Sequence, residues 1–483
     1  MKLLNLLREV PVLETNVDPN LQITSIACDS RNVRTGCLFV AISGFSADGN
    51  RFISDAMKQG AAAVVTAHRP QNDVPYILVE NDRRALALLS CSFYHHPARA
   101  MTMIGITGTN GKTSVSWLLK QVLEKCAGAK VGLIGTVNNM IGEEALSTER
   151  TTPESLELQQ LLSRMRSRGC THVVMEVSSH AIAMHRVTGI RFDVAVFTNL
   201  SEDHLDFHRS MEEYCAVKAR LFRQCEKAVL NRDDPWFSRI RKGITCPILL
   251  TAVKEPGDLR AEAVTLRADG VSYTAVTAAE RVPVTVPIPG SFTVYNSLTV
   301  LAVAMQLGMP LRGAAAALAS VKGIPGRVEV IPTPGKPYTV LRDYAHTPDG
   351  LEKVLLSIRE FCRGRLILVF GCGGNRDRAK RPVMGRIGVQ LADFSVITSD
   401  NPRDEDPMEI IRDILSGVPE DMDNYKVIEN RPKAIRYALD IGKKHDIILL
   451  AGKGHETFQE IRGVKYPLDE RKEVNAYLRE TEE

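Results

Sequence analysis

Residues 107–114 read TGTNGKTS, a glycine-rich segment whose residue types and spacing suit the binding of a phosphate group. The apolar run MTMIGIT precedes it and predicts a buried strand, while SVSWLLKQVLEK follows with helical periodicity. Backbone N–H groups at such a turn wrap a phosphate, the helix N-terminus favours negative charge, and the lysine reaches the β and γ oxygens. The predicted phosphate contacts are Gly108, Thr109, Asn110, Gly111, Lys112, Thr113 and Ser114.

This loop is shorter than the common P-loop pattern, because Ile106 stands where that pattern has its first glycine. An ordinary glycine-rich turn is the alternative interpretation. The strand, loop, Lys-Thr pair and helix nevertheless follow one another in the order that a nucleotide site requires. We expect ATP rather than GTP, because the sequence lacks an N/TKxD-like segment that would read guanine.

Two neighbouring predicted strands end in residues that suit a metal site. THVVMEV ends in Glu176 and is followed by SSHA, and FDVAVFT is followed by NLSEDHLDFH, which contains His204. Together with the Thr113 hydroxyl, Glu176 and His204 are predicted to bind Mg²⁺, although Mg²⁺ prefers oxygen ligands and a histidine is unusual. The spacing of His204 and His208 also suits zinc or a helix surface. Structural roles are expected for His180, His185 and His208.

A third strand-end segment, SDNPRDEDP at residues 399–407, places one arginine among several acids. A strand, a turn and a helix start explain its asparagine, proline and carboxylates, but not Arg403. A guanidinium next to carboxylates could hold a zwitterion. The alternative is that Arg403 pairs with Asp404 or Asp406 on a solvated turn, where such a pair contributes only about 0–1 kcal/mol.

The elements that must position these residues alternate between apolar strands and helices, which predicts an α/β fold with mostly parallel, doubly covered sheets. Three domains are expected, with boundaries at HHPAR and GIPGRVEV: residues 1–98, 99–326 and 327–483. Residues 253–288 are rich in Thr and Val and predict an antiparallel patch. Open sheets of this kind bind ligands at the carboxyl ends of their strands.

Composition excludes several classes of protein. The chain has 483 residues, of which 61 are basic and 57 acidic, and this near balance gives no basis for a nucleic-acid partner. The start, MKLLNLLREVPVLE, predicts a short amphipathic helix rather than a signal peptide, and no apolar run reaches membrane-spanning length. The ten cysteines are scattered without a CxxC pair, so we expect a cytoplasmic protein without structural zinc or disulfides. A monomer is a separate expectation.

The motifs TGTNGKT, EVSSH, NLSEDHLDFH, DYAHTPDGL, GGNRDRAKRP, DNPR and GKGHE occur in one order, and with them the chain resembles the Mur ligases over essentially its whole length. More specifically, it looks like the members that add the third residue of the peptidoglycan stem peptide. The resemblance implies a UDP-binding N-terminal domain, a central ATPase and a C-terminal Rossmann-like domain. Ser114 is a small departure, since many relatives have a second threonine there.

The resemblance also implies roles for individual residues. Lys112, Lys218, His204 and Glu176 match catalytic positions, and Lys218 matches a lysine that is carbamylated and helps to bind a second Mg²⁺. From its context in YCAVKARLF alone, Lys218 would be a solvated lysine. The UDP-sugar peptide is expected to contact Ser30, Thr151, Thr152, Ser178 and Arg186. The ATP base and ribose are expected near Asn296, Arg327, Asp343 and His346. The incoming amino acid is expected to contact Arg376, Asp400, Asn401, Pro402, Arg403, Gly452 and Glu456.

The expected reaction transfers the γ-phosphoryl group of ATP to the terminal carboxylate of UDP-N-acetylmuramoyl-L-alanyl-D-glutamate and lets an amine attack the acyl phosphate. We expect meso-diaminopimelate as the amine, because Arg403 could bind its distal carboxylate, with Glu456 accepting from the ammonium and Asp400 and Asn401 orienting Arg403. Water would destroy the acyl phosphate, so domain closure is expected.

Other functions fit part of the pattern. A folylpolyglutamate synthetase, or a Mur ligase that adds a different residue, shares the architecture, but RTTPES together with DNPR argues against both. A P-loop NTPase that regulates a partner would not need a second sheet with charged strand-end loops. A non-catalytic nucleotide-binding module would not need Lys112, Thr113 and Glu176 together.

Overall fold

The computed structural model of the chain describes residues 1–44, 48–148, 150–205 and 207–481. The chain divides into two compact units, one comprising Met1–Arg260 and Leu298–Ala314, and the other Ala261–Ser297 and Ala315–Glu483. Both units contain parallel sheets with helices between the strands, as the alternating sequence pattern predicts. The domain boundaries near residues 98 and 326 stay predictions.

The N-terminal sheet of the first unit is built around strands that are apolar at every position. The residues of CLFVA at 37–41 are all buried, and AAAVVT at 61–66 is nearly so, which places both strands inside the sheet. The order is β1-β5-β4-β3-β2, with β1 antiparallel to β5 and the other pairs parallel. The strands are β1 Val12–Thr15, β2 Ser25–Ala27, β3 Cys37–Ala41, β4 Ala61–Thr66 and β5 Tyr76–Val79.

The central sheet of the same unit has β6 between β10 and β11, all three parallel. Register pairs Ile106 with Glu176 and Thr107 with Phe197, so the carboxyl ends of the three strands meet at one edge. The order runs β13-β12-β11-β6-β10-β7-β8-β9. The strands are β6 Thr102–Thr107, β7 Val131–Ile134, β8 Asn139–Ile141, β9 Glu144–Leu146, β10 His172–Glu176, β11 Phe192–Phe197, β12 Cys225–Asn231 and β13 Ile248–Ala252.

The second unit contains the last large sheet, in the order β17-β18-β22-β19-β20-β21, parallel except for β17. Asp343 pairs with Ala451 and Phe370 with Ile397, so the loops after these four strands leave the sheet at one edge. The strands are β17 Glu329–Ile331, β18 Thr339–Asp343, β19 Leu366–Phe370, β20 Phe394–Ile397, β21 Tyr425–Val427 and β22 Ile447–Ala451.

Antiparallel pairing occurs in the Thr- and Val-rich segment, as predicted: Gly270–Val276 pairs with Arg281–Val286, following the strand Leu259–Arg267. A second hairpin joins Phe458–Ile461 to Val464–Pro467. We label these strands β14 to β16, and β23 and β24, in chain order.

Helices lie between the strands. The N-terminal amphipathic helix is short, since Leu3–Leu6 is α-helical and Leu7–Glu9 continues as a 3₁₀ turn. Within the described ranges, no helix is both long and apolar enough to cross a membrane. The helices are α1 Leu3–Leu6, α2 Ile53–Lys58, α3 Asp82–Phe93, α4 Lys112–Ala127, α5 Ser155–Ser167, α6 Ser179–Ala183, α7 Met211–Ala219, α8 Phe237–Arg241, α9 Ser291–Gln306, α10 Leu311–Leu318, α11 Pro348–Arg359, α12 Lys380–Leu391, α13 Pro407–Leu415, α14 Arg431–Asp440 and α15 Glu470–Glu480.

Candidate active site

The phosphate loop connects β6 directly to α4, and its backbone conformation needs glycine at both ends. Gly111 has φ 84° and precedes the helix, and Gly108 has φ 153°. A Cβ on Gly108 would lie 1.9 Å from Thr198 Oγ1, a distance that real atoms do not tolerate. Within the described part of the chain, no side chain caps the N-terminus of α4. Its first N–H groups are therefore available to an anion.

Residues after β11 fix the shape of the loop. Asn199 accepts hydrogen bonds from the backbone N–H of Thr109 through its carbonyl and of Asn110 through its side chain, both at 2.9 Å. The hydroxyl of Thr198 donates to the carbonyl of Asn110 at 2.6 Å. Lys112 lies over the loop and donates from Nζ to the carbonyls of Gly108 and Thr109 at 2.9 Å each. The lysine is thus placed where a phosphate held by the loop would meet it.

Glu176 is buried at the end of β10, and its carboxylate accepts hydrogen bonds from α4 and from the loop after β7. It accepts from the hydroxyl of Thr113 at 3.0 Å, and from the backbone N–H and hydroxyl of Thr136 at 3.0 Å each. A Cβ on Gly135 would lie 2.3 Å from Glu176 Oε1, so this close approach also requires glycine. The paired hydroxyl and carboxylate oxygens of Thr113 and Glu176 are the ligand type that Mg²⁺ prefers.

His204 does not join Glu176 in the structure. Its half-exposed ring lies 3.5 Å from Asp203 and packs edge-on to His180, with centroids 4.9 Å apart. Among the described residues, no group of three His, Cys, Asp or Glu side chains is arranged to hold a metal ion. A role of His204 in Mg²⁺ binding therefore stays a prediction, whereas Thr113 and Glu176 are in direct contact.

The other histidines of this region make packing and hydrogen-bond contacts, as expected. His208 is buried, its Nε2 lies 2.9 Å from Ser179 Oγ, and its ring stacks on Tyr214. His180 packs against the ring of Phe207, and His185 Nδ1 lies 3.1 Å from the hydroxyl of Thr188.

Lys218 is buried, which contradicts the solvated position that its sequence context suggests. It lies on α7 at 1% exposure, donates to the carbonyl of Gly108 at 2.9 Å, and sits 4.5 Å from the ring centroid of Tyr214. Burial lowers the pKa of the Lys218 ammonium well below its ordinary value, and the nearby charge of Lys112 lowers it further. The tertiary fold brings the phosphate loop over a helix face that the sequence pattern alone leaves open to solvent.

Four of the residues expected to contact the UDP-sugar peptide are connected to Glu176 through hydrogen bonds. The buried hydroxyl of Thr152 donates to the carbonyl of Glu176 at 2.8 Å, and Arg186 donates to the carbonyl of Thr152 at 3.0 Å. Ser178 caps α6, and Thr151 Oγ1 lies 3.0 Å from Thr136 Oγ1. The structure thus brings Thr151, Thr152, Ser178 and Arg186 next to the predicted metal ligand.

Ser30 lies in a different part of the first unit. It begins a short 3₁₀ turn that Asp29 caps by accepting the N–H of Arg31, and it is half-buried. Its predicted contact with the nucleotide substrate stays a prediction.

The second unit carries the residues predicted to lie near the base and ribose of ATP. Asp343 is buried at the end of β18 and accepts the N–H groups of Val328 and Ala345 at 2.8 Å each. Burial raises the pKa of its carboxyl. Arg327 stands over the ring of Tyr344, which also packs against His346 at a centroid distance of 4.6 Å. Asn296 is buried on α9.

A cavity of about 670 Å³ lies at the carboxyl edge of the second unit's large sheet. The loops after β18, β19, β20 and β22 line it, because these strands are parallel and end at the same edge of the sheet. Its described lining consists of Tyr344, His346, Thr347, Pro348, Gly373, Arg376, Asp377, Ala379, Lys380, Val383, Asp400, Asn401, Arg403, Gly452 and Glu456.

Arg403 is anchored by a residue that sequence reasoning missed. It has φ 51°, donates from Nε to Glu460 at 3.1 Å, and donates from Nη1 to the carbonyl of Gly374 at 2.8 Å. The alternative pairing with neighbouring acids does not occur, because Asp404 accepts from Asn375 and Asp406 caps α13. With this left-handed backbone conformation, the Arg403 side chain lines the cavity.

Asp400 and Asn401 do not orient Arg403 as expected; they contact Lys453. This lysine of GKGHE is completely buried, with Nζ 3.0 Å from Asn401 Oδ1, 3.2 Å from Asp400 Oδ1 and 3.6 Å from Glu456 Oε2. Asn401 in turn donates to Glu456 at 2.9 Å. Lys453 therefore organises the acidic side of the cavity, and its place in the GKGHE motif is the signal that could have found it.

Three Mur ligase family models match the chain: "Mur ligase family, catalytic domain" over residues 22–94, "Mur ligase middle domain" over 106–304, and "Mur ligase, glutamate ligase domain" over 326–454. Together they cover most of the chain and lie in the order that the motifs predict.

Individual proteins match the full length. The UDP-N-acetylmuramoyl-L-alanyl-D-glutamate–2,6-diaminopimelate ligase of Caldanaerobacter subterraneus subsp. tengcongensis is 46% identical, with 100% of each chain covered. The protein of the same name from Clostridium tetani is 42% identical over 99% of this chain and 100% of its own. A solved structure of a ligase with this name has a TM-score of 0.78 at 29% identity and covers 100% of this chain and 99% of its own.

The phosphate loop, the buried Glu176 and the charged strand-end cavity occur in a chain that matches these relatives from end to end. The chain belongs to the Mur ligase family.

Proposed function

We propose that the protein is an ATP-dependent amide ligase that joins meso-diaminopimelate to the D-glutamate of UDP-N-acetylmuramoyl-L-alanyl-D-glutamate, a step of peptidoglycan precursor synthesis. The observation that carries the choice of amino acid is the cavity that presents Arg403 and Arg376 together with Glu456. The shared name of the full-length relatives supports the same reaction.

This cavity has the charges that diaminopimelate requires. The molecule carries two α-amino carboxylate centres, so a selective site needs a cation for the distal carboxylate and acceptors for the adjacent ammonium. The Arg403 guanidinium can bond two carboxylate oxygens at once. The carboxylate of Glu456, held by Asn401 and Lys453, can accept from the ammonium.

The phosphate loop fits ATP and Mg²⁺. Gly108 has no room for a side chain, so the backbone approaches its neighbours closely, and α4 offers N–H groups to an anion. Thr113 and Glu176 would hold Mg²⁺, with Lys218 contributing once it is carbamylated. The bound ion would offset charge on the phosphate oxygens.

The reaction must overcome the poor leaving group of a carboxylate. Transfer of the γ-phosphoryl group of ATP to the peptide carboxylate gives an acyl phosphate and ADP. The amine of diaminopimelate then attacks the carbonyl carbon, and the tetrahedral intermediate collapses to the amide with loss of phosphate. Lys112 offsets charge during the first transfer. Arg403 and Glu456 hold the distal end of diaminopimelate, so the protein contributes positioning and electrostatics.

The surroundings of Lys218 support the proposal that it is carbamylated. An amine adds CO₂ only in its neutral form, and the lowered pKa of Lys218 favours that form. The product is a carboxylate-like group beside the phosphate loop, since Lys218 Nζ lies 2.9 Å from the Gly108 carbonyl. As the pH falls, the amine becomes protonated and the carbamate is lost, so activity should decrease.

Replacing Lys218 by alanine is expected to remove most of the ligase activity, because a ligand of the second Mg²⁺ is lost. Added acetate should restore part of that activity by supplying a carboxylate in the space left by the side chain. Rates with and without acetate measure both effects.

Lys120→Ala provides the matched control. It also removes a buried lysine of the first unit, but one that pairs with Glu124 at 2.7 Å, so acetate should not change its rate. Full activity of the Lys218→Ala variant would rule out the carbamate.

A phosphate-release assay tests the proposed ligase activity. Phosphate should be released from ATP when the UDP-linked dipeptide and diaminopimelate are both present, and little should be released when either is omitted. Rapid ATP hydrolysis without both substrates would instead support a regulatory NTPase.

The substrates also support a location for the enzyme. ATP and UDP-linked sugars are cytoplasmic metabolites, so we place the reaction in the cytoplasm. The expected monomeric state stays a prediction.

A further inference from the structure

Arg381 lies on α12 with its side chain completely buried, and its guanidinium group is paired with carboxylates of the second unit. It donates from Nη1 and Nη2 to the two carboxylate oxygens of Glu405, at 2.8 Å each. Nη1 also donates to Asp413 on α13 at 2.8 Å. Such a two-pronged contact between a guanidinium and a carboxylate fixes orientation as well as distance.

The Glu405 carboxylate that contacts Arg381 also binds the loop that contains Asn375. Its Oε1 accepts the backbone N–H of Asn375 at 2.5 Å. Asn375 also donates from its side chain to Asp404 at 2.8 Å. The contact with Arg381 lowers the pKa of Glu405 to about 2, so this carboxylate stays ionised at neutral pH. We call residues 373–376 and 402–405 the two arginine loops, because they carry Arg376 and Arg403.

The two arginine loops are in close contact. The N–H of Gly374 donates to the carbonyl of Asn401 at 2.9 Å, and Arg403 donates to the carbonyl of Gly374 at 2.8 Å. A Cβ on Gly374 would lie 1.9 Å from the carbonyl oxygen of Pro402. The position of Arg403 is therefore tied to the position of the loop that carries Arg376.

The described lining of the cavity includes Arg376 and Arg403 but neither Arg381 nor Glu405. The Arg381–Glu405 pair thus stands behind the two arginines that face the cavity. Arg381 also contacts the loop of residues 373–376 directly, since its Nη2 lies 3.3 Å from the carbonyl of Gly373.

We propose that the Arg381–Glu405 pair positions Arg376 and Arg403, and so sets the preference for an amino acid with a distal carboxylate. Arg381 and Glu405 are positioning residues: they hold the two arginine loops in register and do not touch the substrate. The proposal rests on the proposed function, because it names the residues that make the cavity selective.

Glu405→Gln tests the proposal, because glutamine keeps the size of the side chain but removes the charge and one acceptor oxygen. We expect the ratio of kcat/KM for meso-diaminopimelate to that for lysine to fall by about ten- to 100-fold, the usual effect of losing a supporting contact. The KM values for ATP and for the UDP-linked dipeptide should not change. Arg381→Lys keeps the charge but loses the two-pronged contact, and it should lower the same ratio.

Asp413→Asn is the matched control. Asp413 accepts from the same Nη1 of Arg381, but it belongs to α13 and to neither arginine loop. Its substitution should leave the ratio near the parent value. Thermal unfolding of each variant separates a folded protein with altered preference from a destabilised one.

The outcomes separate this inference from the proposed function. If the parent does not couple diaminopimelate at all, the proposed function fails. If the parent prefers diaminopimelate and both Glu405→Gln and Arg381→Lys keep the parent's ratio, the positioning role is wrong. An equal loss in Asp413→Asn would also contradict it, because the effect would then not depend on the two loops.

Discussion

Replacing Lys112 by alanine is expected to slow ligation by about 100- to 1,000-fold, equivalent to about 2.7–4 kcal/mol of transition-state stabilisation, while the chain keeps its fold. The lysine lies over the phosphate loop, held by the carbonyls of Gly108 and Thr109. Its charge is placed to stabilise the phosphoryl group as it moves between oxygens. Alanine removes that charge, and at the first residue of α4 it is compatible with the helical backbone.

Single-turnover rates at saturating ATP measure this effect, and circular dichroism with thermal unfolding checks the fold. Lys125→Ala is a suitable control, because it removes an exposed lysine from the far end of the same helix. The control should retain parent activity. Turnover of Lys112→Ala within a few-fold of the parent would contradict the assignment of the loop to ATP.

Arg403→Ala is expected to lose most of the enzyme's discrimination between meso-diaminopimelate and lysine. Lysine lacks the distal carboxylate, so it would give the Arg403 guanidinium no partner besides Glu460 and the Gly374 carbonyl. A site built for a polar group can reject the analogue that lacks it by about 10⁴–10⁵-fold. The contact with Glu460 holds Arg403 in place before the substrate arrives, so less conformational entropy is lost when the distal carboxylate binds.

The ratio of kcat/KM for the two amino acids, in the parent and in Arg403→Ala, measures the contribution of this side chain. Arg462→Ala is the control, since Arg462 is exposed, lies on the neighbouring hairpin and contacts Arg403 only through backbone atoms. A parent that prefers lysine, or an Arg403→Ala variant with undiminished discrimination, would show that Arg403 is not the selecting residue.

Strand-end geometry is the part of the site that the sequence predicts well. Apolar runs identify the strands, and parallel strands of one sheet end at one edge, so Glu176 and the phosphate loop had to lie close together. The same rule gathers Arg376, Arg403, Gly452 and Glu456 around one cavity. These predictions need the order of strands but no detail of the loops.

Contacts between distant loops are the part that the sequence does not predict. Lys218 and Lys453 are buried lysines, whereas a lysine in a polar segment is ordinarily solvated. Their burial depends on how loops from other strands fold over them. Likewise, Glu460 is separated from Arg403 by 57 residues, so neither the expected contacts with Asp400 and Asn401 nor the alternative pairing with the neighbouring acids identified it. Local spacing carries no information on such pairs.

The decisive experiment for the proposed function is to identify the amino acid that the enzyme couples. The enzyme would be incubated with ATP, Mg²⁺, UDP-N-acetylmuramoyl-L-alanyl-D-glutamate and one amino acid at a time, and the products would be identified by mass spectrometry. We expect a UDP-linked tripeptide with meso-diaminopimelate, formed with one equivalent each of ADP and phosphate. Preferential coupling of lysine or another amino acid, or ATP consumption without a tripeptide product, would contradict it.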